Sequence, residues 1–176
     1  MHRLFVAIRP PSTIISQLLA TMGGIENARW QDDEQLHLTL RFIGEVDRHQ
    51  AEDVAAALGS VHHPRLALAL AGVGQFEKRG RGAIWAGVAP QEGLKALHKK
   101  VDQACRRVGV PPDTRAYLPH ITLARTGRAT GLADPFIERW AGLASPLFEV
   151  DSFRLYESRL GSEGASYTTI ARYPLG

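Results

Sequence analysis

The chain has 176 residues, of which 44% are hydrophobic and 22% are charged, and its formal net charge is +3 at pH 7. This composition argues against disorder and against a fibrous protein, and no segment approaches the about 20 apolar residues that span a membrane. The single cysteine, Cys105, excludes an intrachain disulfide and a cysteine-based metal cluster, so a cytoplasmic location is expected.

The first half of the chain alternates between strand and helix patterns. A strand is predicted at 4–8, and a helix at 12–22 is ended by two glycines. Alternation predicts a second strand at 36–43, which precedes an amphipathic helix at 48–58 and a third strand at 65–71.

The second half begins the same order again. It contains a predicted strand at 83–88, a helix at 91–108, an apolar run around His120, a helix at 134–143 and strands at 147–156 and 166–173. The two orders predict a single domain that is a pseudo-repeat of halves at about 1–74 and 82–176. Each half is expected to form one lobe, with a cleft between the lobes.

A tetrapeptide motif of histidine, apolar residue, threonine and leucine occurs in both halves, as HLTL at 37–40 and HITL at 120–123. On a strand, alternate side chains share a face, so each copy presents its histidine and threonine together. One copy alone would be ordinary strand composition. The repetition predicts that two imidazoles and two hydroxyls meet in one cleft.

These side chains suit phosphate chemistry. Histidine has an unperturbed pKa of about 6.5, so one copy can give a proton while the other takes one. Threonine hydroxyls can donate hydrogen bonds to phosphate oxygens. We therefore predict His37 and His120 as acid-base catalysts on a phosphodiester, with Thr39 and Thr122 as phosphate-binding residues.

Arg125 is the candidate cation for the phosphate. It lies five residues after His120, an odd offset that points it away from the histidine face of a regular strand. The sequence therefore predicts that the strand ends or bulges near Ala124. Phe42 has the same offset after His37, and it either stacks on a base or packs in the core.

Further candidates for RNA binding lie elsewhere. Lys78, Arg79 and Arg81 are three cations in four residues, which indicates either a solvated hairpin tip or a contact with phosphates. Phe76 and Tyr117 are either base-stacking residues or packing residues. The other histidines form no ligand cluster, so no metal is predicted, and His98 in particular is interpreted as part of a solvated helix face.

The two motifs resemble those of the 2H phosphoesterase superfamily, and within it the RNA 2',3'-cyclic phosphodiesterases of bacteria and archaea, also called 2'-5' RNA ligases. The resemblance rests on RLFVAI at 3–8, LHLTLRFIGE at 36–45 and PHITLAR at 119–125, and it extends over essentially the whole chain.

This resemblance implies a bilobal α+β fold, with an antiparallel sheet in each pseudo-symmetric lobe, helices outside and a central cleft. It implies a monomer without metal or cofactor that hydrolyses RNA 2',3'-cyclic phosphate ends to 2'-phosphates. His37 would give a proton to the leaving oxygen and His120 would take one from water. Its partners would be RNA ends such as tRNA fragments, with reversible 2'-5' ligation as the reverse reaction.

Two alternatives stay open from the sequence. The same scaffold could act on a small cyclic nucleotide or a 2',5'-linked oligonucleotide, and the motifs do not distinguish these substrates. A noncatalytic module that binds RNA ends is the second alternative.

Overall fold

The computed structural model describes residues 1–176 as nine strands, four α-helices and a short 3₁₀ helix at Asp33–Gln35. The strands are β1 (His2–Ile8), β2 (Arg29–Trp30), β3 (Leu38–Val46), β4 (Leu66–Lys78), β5 (Arg81–Ala89), β6 (His120–Thr126), β7 (Phe148–Val150), β8 (Ser152–Gly161) and β9 (Gly164–Pro174). The helices are α1 (Ser12–Thr21), α2 (Arg48–Leu58), α3 (Glu92–Arg107) and α4 (Asp134–Trp140). None of these helices has both the length and the apolar character needed to span a membrane.

The structure differs from the predicted elements mainly in its strands, and the helix predicted at 134–143 ends at Trp140. The strand predicted at 147–156 is two strands, interrupted at Asp151, and the strand predicted at 65–71 continues to Lys78. The extension was missed because residues 75–78 are exposed, so the core gives them no apolar alternation. Strand β2 and the 3₁₀ helix are too short to produce a periodic signal.

The strands form one sheet in the order β7-β4-β5-β6-β3-β1-β8-β9, and β2 pairs with β6 outside this path. All its pairings are antiparallel, which confirms the predicted α+β class. One part of the sheet contains β7, β4, β5, β6 and β2, and the other contains β3, β1, β8 and β9. The two parts are joined only where Leu38 of β3 pairs with Ile121 of β6. Each of these residues is the second residue of its motif, so the two copies meet in equivalent register.

The two parts of the sheet do not correspond to the two sequence halves. Strands β8 and β9 come from the second half but extend the sheet from β1, whereas β4 comes from the first half and pairs with β5. The expectation of one lobe per sequence half is therefore wrong in its strand content. The reason is local, because a two-residue turn joins β4 to β5 and makes them a hairpin.

The two faces of the sheet have different surroundings. One face carries the main core of 38 buried residues, to which α1, α2, α3 and α4 all contribute, together with the apolar residues of both motifs. On β1, alternate residues Phe5 and Ala7 leave this core and form a second small cluster with Tyr156. The second cluster lies on the face of the sheet that the helices leave open, which is where the site forms.

Candidate active site

Strand β6 contains a β-bulge at Leu123. Trp85 of β5 pairs with Thr122 and Ile84 pairs with Ala124, so Leu123 is an extra residue without a partner. Leu123 and Ala124 are both fully buried, and the strict alternation of faces is broken between them. The bulge predicted near Ala124 is confirmed, although the strand continues to Thr126 instead of ending.

The bulge changes which face the end of β6 presents. Before it, His120 and Thr122 are half-buried and Ile121 is buried, as expected of a strand with one face in the core. After it, Arg125 is exposed and returns to the face of His120 and Thr122. The odd offset in sequence therefore becomes a shared face in space.

Strand β3 also contains a β-bulge, at the equivalent position of its motif. Ala7 of β1 pairs with Thr39 and Val6 pairs with Arg41, so Leu40 is the unpaired residue. Leu40 and Arg41 are both buried, and Phe42 follows on the face of the motif side chains with 50% of its surface exposed. The first motif thus places a phenylalanine where the second places an arginine.

Both histidines are held by the backbone two residues before them, at the end of the 3₁₀ helix for His37 and in a loop for His120. Nδ1 of His37 lies 2.7 Å from the carbonyl oxygen of Gln35, and Nδ1 of His120 lies 2.6 Å from that of Leu118. Because a carbonyl can only accept, each Nδ1 carries the proton of the neutral ring. Nε2 is left as the atom of each ring that can exchange a proton with a ligand.

His37 lies among aromatic rings. The ring of Phe5 is 4.9 Å away and the nearly perpendicular ring of Tyr167 is 5.3 Å away, measured between centroids. Burial lowers the pKa of His37 most strongly, and the hydrogen bond to Gln35 opposes the change. Together with the positive charges of Arg125, Arg9 and protonated His120, burial brings this pKa to about 4.

His120 has a similar but more open setting. The ring of Phe76 is nearly perpendicular to the imidazole at 5.0 Å, and Trp85 lies at 6.1 Å, again between ring centroids. Burial lowers the pKa of His120, the hydrogen bond to Leu118 opposes this, and the charge of Arg125 lowers it. Both imidazoles are therefore neutral at pH 7 in the free protein.

A cation-lined groove of about 1010 Å³ begins at Arg125 and extends toward the tip of the β4–β5 hairpin. Its lining contains a single carboxylate, Glu77, and six cations. These cations are Arg29, Lys78, Arg81, Arg115, Arg125 and Arg128. The groove therefore attracts an extended anion rather than a compact neutral ligand.

The other predicted site residues have different positions. Phe76 lines the groove beside His120, and the ring of Phe42 lies 6.1 Å from that of Phe5. Arg79 occupies the hairpin turn with a φ of 55° and is not part of the groove lining. The hairpin tip predicted there is confirmed, since Lys78 pairs with Arg81.

Tyr117 is not placed where it could stack on a base from the groove. Its hydroxyl donates to the carbonyl oxygen of Thr39 at 2.9 Å, and its ring stacks on His98 with 4.1 Å between centroids. The interpretation of His98 as part of a solvated face is wrong, because its ring bonds to the carbonyl of Leu40 at 2.6 Å. In the sequence, the adjacent Lys99 and Lys100 had indicated a solvated helix face.

Sequence reasoning missed several residues of the site. Tyr156 and Tyr167 reach His37 only because the β8–β9 hairpin extends the sheet from β1. The groove also contains three arginines from separate segments of the chain, none of which carries a recognisable motif: Arg29, Arg115 and Arg128. No local pattern marks these residues, since long-range strand pairing brings them together. The structure contains no group of three or more His, Cys, Asp or Glu side chains arranged to hold a metal ion.

Comparisons with known proteins agree on one family. Residues 24–161 match the family model described as the 2'-5' RNA ligase superfamily. The RNA 2',3'-cyclic phosphodiesterase of Escherichia coli K12 is 31% identical, over 99% of this chain and 97% of that protein. The enzyme of the same name from Geobacillus stearothermophilus is 34% identical over 83% of this chain, which spans only 47% of that protein's length.

A solved structure shows the same architecture. The crystal structure of Escherichia coli LigT complexed with 3'-AMP superimposes with a TM-score of 0.82 at 28% identity, and the match covers 99% of this chain and 98% of that chain. The expected bilobal α+β fold is therefore confirmed.

Replacing Arg125 with glutamine should raise the pKa of both histidines in the free protein, because a positive charge that disfavours each imidazolium is removed. NMR titration of the imidazole signals measures the change. The matched control is Arg128→Gln, which removes another groove cation that does not act on either histidine. Unchanged titrations in the Arg125 variant, or equal changes in both variants, would contradict this arrangement.

Proposed function

The chain belongs to the 2'-5' RNA ligase superfamily, and we propose that it hydrolyses RNA 2',3'-cyclic phosphate ends to 2'-phosphates by acid-base catalysis with two histidines. The observation that carries this proposal is the matched anchoring of the two imidazoles, each through Nδ1 to its own chain, beside Arg125. The names of the relatives support the reaction, and the bound 3'-AMP in the LigT structure supports a ribonucleotide ligand.

The reaction needs a base and an acid on opposite sides of phosphorus. Water attacks in line with the departing 3' oxygen, so the new P–O bond forms as the P–O3' bond breaks. We assign Nε2 of His120 as the acceptor of the proton from water, and Nε2 of His37 as its donor to O3'. The products are a 2'-phosphate and a free 3' hydroxyl.

The transition state carries more charge on the non-bridging oxygens than the substrate does. Thr39 and Thr122 share the face of the histidines and would donate hydrogen bonds to these oxygens. Arg125 would supply the positive charge that hydroxyls lack. Its second effect is to keep the free histidines neutral, so the anionic substrate must offset that charge before the donor acquires its proton.

The groove favours an RNA chain over a small cyclic nucleotide as the substrate. A mononucleotide held between the histidines would leave most of the six cations unused. Single-stranded RNA can place successive phosphates along Lys78, Arg81 and the groove arginines, with Arg79 at the turn as an outer contact. Phe76 and Phe42 are the aromatic side chains exposed enough to stack on bases beside the two histidines.

Two finer parts of the proposal follow from the same chemistry. Acid-base catalysis is reversible, so an RNA 5' end with a free hydroxyl could replace water and be joined in a 2'-5' linkage, with the roles of the histidines exchanged. RNA fragments such as tRNA halves carry suitable ends. We also propose that the protein acts as a monomer and that it acts in the cytoplasm, where a free thiol such as that of its single cysteine stays reduced.

Alanine at His37 or His120 should lower kcat by about 10²- to 10⁴-fold, because each variant lacks one proton-transfer group. The assay is hydrolysis of an RNA that ends in a 2',3'-cyclic phosphate, with EDTA present, followed by identification of the product end. His49→Ala is the control, since His49 is exposed on α2. A wild-type protein that binds the end without cleaving it would instead be an RNA-end-binding module.

The double substitution of Lys78 and Arg81 by alanine should lower kcat/KM for a longer single-stranded RNA and leave a 2',3'-cyclic mononucleotide unaffected. The salt dependence of RNA binding should also weaken, by about 0.7 in log-log slope for each phosphate that the variant no longer neutralises. Lys95 and Lys99, exposed on α3, provide a control double variant with the same charge change. Equal decreases on both substrates would contradict the groove as the path of the RNA chain.

A further inference from the structure

Two consecutive carbonyl groups at the bulge of β3 are bound by side chains. The hydroxyl of Tyr117 donates to the carbonyl of Thr39, and Nδ1 of His98 bonds to the carbonyl of the unpaired residue Leu40. An unmatched backbone carbonyl in a buried strand is costly, so these two contacts stabilise the bulge itself.

The equivalent bulge in β6 is satisfied by backbone instead. There the carbonyl of Leu123 accepts from the N–H of Gln31, just after β2, at 2.8 Å. Leu123 and Leu40 hold the same place in their motifs. The side chains of His98 and Tyr117 therefore do for the first motif what a short strand does for the second.

On β3, a paired strand cannot supply the partner for the carbonyl of Leu40. If the pairing of Leu38 with Ile121 continued, Pro119 would oppose Leu40. Proline has no N–H to give to a ladder, so the pairing between β3 and β6 stops. The two strands then diverge, and the stacked rings of Tyr117 and His98, inclined by only 3°, occupy the opening.

Helix α3 reinforces the same stretch of β3. One turn after His98, Asp102 pairs with Arg41 at 2.8 Å, and the side chain of Arg41 is only 4% exposed. Arg41 also donates to the carbonyl of Pro111 at 2.5 Å. Burial raises the pKa of Tyr117, so its hydroxyl keeps the proton that it donates.

We propose that Tyr117 and His98 are positioning residues for the first motif. By holding the carbonyls of Thr39 and Leu40, they fix the bulge and so the direction of the Thr39 hydroxyl relative to His37. The proposal rests on the proposed function, because its catalytic consequence is the alignment of Thr39 with the phosphate. Neither residue lines the cation groove.

The test compares two tyrosine-to-phenylalanine variants. Tyr117→Phe removes the hydroxyl and keeps the stacked ring, while Tyr173→Phe removes a similar hydroxyl that donates to the carbonyl of Ala55 at 2.7 Å. We expect similar decreases in Tm, but a decrease in kcat of about tenfold or more, with little change in KM, for Tyr117→Phe alone. Equal kcat values in the two variants would overturn the proposal.

Variants of His98 add a rescue measurement. Asparagine can present a side-chain N–H close to the position of Nδ1, so His98→Asn should keep more of the wild-type kcat than His98→Leu. If the leucine variant is as active as the asparagine variant, His98 has no positioning role.

A readout without turnover separates this proposal from the proposed function. Backbone NMR shifts at 37–42 should change in Tyr117→Phe and not in Tyr173→Phe, whether or not RNA is hydrolysed. A wild-type protein that does not cleave the cyclic phosphate would refute the proposed function alone. Unchanged shifts in Tyr117→Phe would refute the positioning role alone.

Discussion

The site depends on the two-residue period of a β-strand and on its interruption at one point in each motif. In a regular strand, the histidine and threonine of a motif would share one face, and the residue five positions after the histidine would point into the core. The bulges at Leu40 and Leu123 reverse the alternation after the threonine. The apolar motif residues thus stay in the main core, while His120, Thr122 and Arg125 share the open face.

Pairing in equivalent register turns two such strands into one site. Leu38 meets Ile121, so the histidines that precede them lie on either side of the junction between the two parts of the sheet. The symmetry between the two strands ends five residues after each histidine, where β3 has Phe42 and β6 has Arg125. Only β6 thus supplies a cation at this position, and the groove of positive charge continues from the part of the sheet that contains β6. Because of this difference, the two imidazoles are related by symmetry but the cations that would bind the substrate lie on one side of them only.

Features that depend on a few neighbouring residues could be predicted from the sequence, whereas features that depend on long-range strand pairing could not. The repeated motifs, the bulge near Ala124 and the hairpin tip at Arg79 follow from short patterns, because strand period and turn chemistry act over a few residues. The contact of Tyr167 with His37 and the contribution of Arg128 to the groove depend on which strands become neighbours. His98 was misinterpreted because its carbonyl partner lies 58 residues away.

The pH dependence of kcat/KM on a cyclic-phosphate-ended RNA, at constant ionic strength, tests the central claim most directly, because it reports the acid and the base of the free enzyme. Burial and Arg125 lower both pKa values below 6.5, that of His37 to about 4. Above pH 6.5 both histidines of the free enzyme are neutral, and the small fraction of molecules with a protonated His37 decreases tenfold per pH unit. The value of kcat/KM should therefore fall about tenfold per pH unit above 6.5, from a maximum below that pH. A constant kcat/KM between about pH 5 and 8, or a bell whose limbs both lie above 6.5, would contradict two-histidine catalysis in this site.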